Sequence, residues 1–221
     1  MSYRLKLWQG LFKRDVASYQ LHKAEIFYGV WARVVLLLFC SAVIYGVSGL
    51  LGIGTEPIVK EIPNTGLDKI YIKLSLFTLG KMFAGIVIAL FLLFAPALIY
   101  WSLTDIPYRK LVIIQTFVLM IFLLERVVNI LLMYVFHLPW FSSPLSLGVV
   151  AQTLELPTLV IYLAGGISIF FVLSIKITYD FLKQLTDTSR MKVLFMVVCW
   201  HVFLLLTQTI LAFVDVSTLF S

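Results

Sequence analysis

Apolar positions fall into five long blocks, at about 30–53, 81–103, 111–138, 158–179 and 193–214, parted by short polar stretches. A helix rises about 1.5 Å per residue and needs roughly 20 residues to cross a hydrocarbon core. Each block is long enough, so the pattern predicts an all-α, polytopic membrane bundle of five transmembrane helices over residues 30–215. Residues 1–29 are mixed in character. Leu5, Trp8, Leu11 and Phe12 recur at helical spacing among Arg4, Lys6, Lys13 and Arg14. That is the pattern of a cytoplasmic lead helix lying in the headgroup plane, or of a polar lead-in drawn to the surface by the first span.

The connections carry their own signals. Pro57 stops the first block, and Pro63-Asn64-Thr65-Gly66 reads as a turn. Residues 70–80 are expected to be a helical lead-in to the second block, which contains Pro96. Thr104 to Lys110 is a tight basic turn. The 140–156 loop is apolar enough to dip into the membrane as a re-entrant segment, or to pack on the helix ends. Small residues mark two close-packing faces, one with Ser48 and Gly52 four apart, the other containing Gly165 and Gly166.

Composition agrees with the pattern. The chain is 62% hydrophobic and 13% charged, against roughly 25% charged in soluble domains. The net charge of +6 has no polar, aromatic-studded surface to serve nucleic acid, so it is read as topogenic. Twelve Lys and Arg fall in residues 1–34, the 104–110 turn and the 176–192 region, against four (Lys60, Lys69, Lys73, Lys81) on the other side. The positive-inside rule then places the N-terminus in the cytoplasm and the C-terminus outside. Cys40 and Cys199 lie within separate spans, which argues against a disulfide framework or metal site, and no cofactor is implied.

The third block holds the candidate chemistry. Glu125, Arg126 and Asn129 interrupt it near its middle, where a charge costs roughly 2.5–3.5 kcal/mol and is kept only facing protein or water. Adjacent residues on a helix point about 100° apart, so Glu125 and Arg126 each need a partner from elsewhere. His201 and Gln208 in the fifth block are the candidates, through a Glu125–His201 or an Arg126–Gln208 contact. The cluster is read as a polar clasp setting helix register, with a proton relay or ligand site as the alternative. Membrane-embedded Abi-type proteases pair two Glu residues before an Arg and add separate His motifs; here Glu125 is single. No His-Glu-x-x-His, Gly-x-Ser-x-Gly or phosphate-cradling loop occurs. No enzyme is expected.

The layout resembles the bacterial branch of the Yip family of five-span membrane proteins, over about residues 10–215. Leu11-Phe12-Lys13-Arg14 leads into a first span ending in the Gly46–Gly54 region. Phe83-Ala84-Gly85 runs through Pro96 to Tyr100-Trp101, a short basic turn follows, and Phe141 to Gly148 leads into the last two spans. The Asp-Leu-Tyr-Gly-Pro and Gly-Tyr motifs of eukaryotic members are absent, so no small-GTPase partnership is implied. The resemblance implies a non-enzymatic accessory or scaffold protein of the bacterial plasma membrane. Its partners would be membrane lipids and another integral membrane protein, such as ABC-type exporter subunits in toxin or antimicrobial-peptide resistance. A small ion-coupled carrier using Glu125 and Arg126 is the alternative.

Overall fold

The computed structural model describes residues 2–4, 14–55 and 67–213. The turn expected at Pro63–Gly66, the stop at Pro57 and the lead positions Leu5, Trp8, Leu11 and Phe12 lie outside them. The described chain is helical apart from one short ribbon, in which β1 (Ser2–Arg4) pairs in parallel with β2 (Ile26–Tyr28). Between these strands lies α1 (Arg14–Lys23), which buries Ala17, Ser18 and Leu21 on one face.

Among the described residues four helices are long and apolar enough to cross a membrane: α2 (Val30–Leu50), α3 (Leu67–Leu103), α4 (Tyr108–Phe136) and α8 (Arg190–Phe213). α4 is the central post. Its most apolar window is 67% buried, against 28% to 33% for the other three, and every residue from Leu111 to Ile121 is buried. Two cores meet on it. One joins α4 to α7 (Ile169–Leu185) and α8 around Phe117, Phe181 and Trp200, and the other joins α4 to α2 and α3 around Leu119, Val34 and Leu93. Phe117 and Phe181 stack with centroids 5.3 Å apart.

α2 and α3 pack through small residues. A Cβ on Gly49 would lie 3.2 Å from the Thr78 Cα, and one on Gly85 would lie 2.9 Å from the Tyr45 ring. The Ser41 hydroxyl donates to the Gly85 carbonyl at 2.8 Å. Gly52 serves a different purpose from its expected packing role. It lies beyond α2 at φ +75°, with Gly52 N–H donating to Gly49 O and Ile53 N–H to Ser48 O. This is a left-handed helix termination that a side chain would strain. The Lys81 ammonium then donates to the Ile53 carbonyl, placing a cation at the negative end of α2.

The expected helical lead-in at 70–80 is present as the first part of α3, whose 37 residues span about 55 Å. The fourth block departs from one continuous helix. It forms α6 (Thr158–Gly166) and α7 (Ile169–Leu185), separated at Ile167 and Ser168. The loop before it holds a short 3-10 turn (Trp140–Ser142) and α5 (Gly148–Thr153).

One end of the bundle gathers three connections. The Thr186 hydroxyl donates to Asp105 Oδ1 at 2.8 Å, Lys110 Nζ donates to the His22 carbonyl at 2.7 Å, and Ser18 Oγ donates to Gln184 Oε1.

Candidate functional site, a broken helix facing a carboxylate

Glycine is a weak helix former, and Gly165-Gly166 ends α6. Ile167 leaves helical geometry at φ −86°, ψ 84°, and Ser168 starts α7 as its N-cap, its Oγ accepting from Phe171 N–H at 3.0 Å. Unwound backbone packed away from water needs partners within the protein, and the 143–148 loop supplies them. Leu147 N–H donates to Ile167 O at 3.1 Å, and Ile169 N–H donates to Leu145 O at 3.0 Å. The approach is glycine-dependent: a Cβ on Gly148 would fall 1.8 Å from Phe141 O, and one on Gly165 would fall 2.9 Å from Phe141 Cα. On the opposite side, a Gly166 Cβ would come 2.4 Å from Leu205 of α8.

Glu125 reaches this break from α4, where Ser168 Oγ donates to its Oε1. The Ser168 hydroxyl thus accepts from the first turn of α7 and donates to the carboxyl group. Arg126 points elsewhere, its guanidinium 4.9 Å above the Tyr45 ring of α2, with Nε buried and unpartnered. Neither expected contact with α8 forms. His201 is buried with Nδ1 2.8 Å from Val197 O and its ring edge-on to Phe171 at 5.6 Å, while Nε2 has no partner. Gln208 is exposed, its Oε1 3.8 Å from where a Gly166 Cβ would lie. Asn129 is half-buried. The helix break, rather than a direct contact, is what Glu125, His201 and Gln208 share.

Sequence reasoning missed Ser168 as the partner of Glu125. Its signal was a hydroxyl residue two positions past a glycine pair, which is also an N-cap pattern. Gln115 and Tyr100 were missed as well, and both bury polar atoms without partners, Nε2 and OH respectively. Among the described residues no group of three or more His, Cys, Asp or Glu gathers as metal ligands. Chemically, the arrangement fixes a carboxyl group against the N-terminus of a half-helix.

Fold and site together define a polytopic helical membrane protein with an interrupted helix beside a polar centre. No protein-family model, curated protein or solved structure matches the chain.

Proposed function

We propose that the chain is a non-enzymatic integral membrane scaffold or accessory subunit of the Yip type. It crosses the bacterial plasma membrane five times, the fourth time as α6 and α7 together, with the N-terminus cytoplasmic. The observation that carries this reading is how the polar groups are engaged. Glu125 goes to Ser168, Arg126 to the Tyr45 ring and the His201 ring edge-on to Phe171, so each fastens helices rather than converging on a substrate. Topology is supported by the meeting at one end of α1, the 104–110 turn and the 176–192 region, which carry two, two and four Lys or Arg residues respectively. As an accessory subunit it would work with another integral membrane protein, such as an ABC-type exporter conferring resistance to a peptide toxin. Cross-linking in intact cells followed by purification in mild detergent tests this. Exporter subunits are expected to co-purify, and recovery of the chain alone after cross-linking opposes the reading.

A second reading, an ion-coupled carrier, is favoured by one feature. Discontinuous helices with polar groups at the break are where secondary transporters bind ions and substrates, and Glu125 sits at such a break. Proton flux in reconstituted vesicles that Glu125→Gln abolishes would favour this reading, and flux equal to that of empty vesicles would remove it.

A further inference from the structure

Beside the helix break, on the outside of the bundle, runs an open groove of about 500 Å³. Pro144, Leu145 and Leu147 form one wall, and Ile169, Val172 and Leu173 the other. The α7 positions 169, 172, 173 and 176 share one helix face, so Lys176 closes the same groove toward the α1 end. Ser168 to Lys176 is about 12 Å along the helix.

The groove offers few free polar groups. Its Ser168 hydroxyl goes to Glu125, its Ser146 hydroxyl donates to Ser143 O at 2.9 Å, and its backbone at Leu145, Leu147, Ile167 and Ile169 is consumed by the pairing that closes the break. Lys176 differs. It is exposed, and the described residues give it neither a hydrogen bond nor a carboxylate within salt-bridge distance; the ion pair further along α7 is Lys183 with Asp180. An ammonium at the edge of hydrocarbon is costly unless it snorkels or finds an anion.

We propose that this groove binds an anionic phospholipid of the leaflet on the α1 side, with its phosphate on Lys176 and one acyl chain along the apolar walls. Charge and shape choose the occupant together. Soluble phosphate would satisfy Lys176 and leave the walls open, and a neutral chain would fill the walls and leave the cation. This site is independent of whether the chain is a scaffold or a carrier.

The full chain, equilibrated in mixed micelles holding equal phosphatidylglycerol and phosphatidylcholine, is analysed by native mass spectrometry for retained lipid. Retained phosphatidylglycerol should exceed phosphatidylcholine by roughly fivefold, the effect of one basic residue near an anionic surface. K176R should keep that preference and K176Q should lose it; Lys176 is exposed, so both variants retain the fold. V172W, which fills the groove, should reduce retention of both lipids. Excess inorganic phosphate should leave the lipid bound. Equal retention of the two lipids by the unmodified chain, an unchanged preference in K176Q, unchanged retention in V172W, or displacement by inorganic phosphate would each overturn the proposal.

Discussion

The Ser168 hydroxyl stands between Glu125 and Phe171, donating to the carboxyl of α4 and accepting from an N–H in the first turn of α7. One atom therefore both starts a helix and ties it to the central post.

Ser168→Ala removes both bonds. Loss of an N-cap costs about 1 kcal/mol, and a buried acceptor left without its donor adds roughly 1–3 kcal/mol. Thermal unfolding in detergent should show a lower midpoint for Ser168→Ala, with Ser168→Thr close to the natural chain. Glu125→Gln keeps an acceptor for the hydroxyl and should lose less than Glu125→Leu. Equal stability of Ser168→Ala and the natural chain would mean the break is held without this bond.

Glycine substitutions should split by site. Gly148→Ala forces a methyl group into the Phe141 carbonyl, and Gly165→Ala presses on the Phe141 backbone; overpacking of this kind costs about 1–3 kcal/mol. Gly80 has nothing within 4 Å of an added Cβ. In the interior of α3, Gly80→Ala should therefore stabilise by about 0.5–1 kcal/mol. Melting curves of the three variants, measured side by side, give the comparison; the reverse order would refute the close approach at Phe141.

The Arg126 guanidinium over Tyr45 makes an energetic coupling. Cation–π contacts are worth about 0.5–2 kcal/mol depending on desolvation. Tyr45→Phe keeps the ring and should be mild, while Tyr45→Leu should destabilise. In an Arg126→Leu background the cost of Tyr45→Leu should shrink by the coupling energy, which a double-mutant cycle reads directly. Additive costs would leave Tyr45 as packing alone.

At the gathered end, the hydrogen bond from Thr186 and then Asp105's own backbone N–H hold the Asp105 carboxyl below the ordinary carboxylate range. A carboxyl group with a lowered folded-state pKa lends stability above its ordinary value near pH 4, and that contribution vanishes as pH falls through the lowered value. Hydrogen exchange at 104–107 and 186–189 should therefore quicken below about pH 4, after the intrinsic rate is corrected. Thr186→Val should already show the faster exchange at neutral pH. A pH-independent exchange ratio between the two proteins would contradict the link.

Much of this fold is written in the apolar runs, and the remainder shows what such runs omit. The blocks at 30–53, 111–138 and 193–214 correspond closely to α2, α4 and α8, because length and hydropathy are what the membrane demands of a span. The 158–179 block satisfies the same demand whether its backbone is continuous or broken, so hydropathy could not reveal the interruption at Ile167. Gly165 and Gly166 carried the signal, but glycine pairs also permit helix packing, and both uses occur here at once. The three-residue strands β1 and β2 are too short to show a period of two. Glu125 and Arg126 were visible as a polar centre because charge in an apolar block is conspicuous. Their partners were not, since helix faces can be read from sequence while the pairing of helices depends on tertiary packing.

The bond between Ser18 and Gln184 joins residues 166 positions apart, and its consequence lies in time rather than space. At synthesis rates of about 5–20 residues per second, α1 emerges roughly 8–33 s before the segment of α7 on which it rests. The face of α1 that carries Ala17, Ser18 and Leu21 must wait uncovered until the chain has been made through Gln184. Docking of α1 is then a late step that reports completion of α7, and a chain stalled before residue 169 would present that face to other proteins.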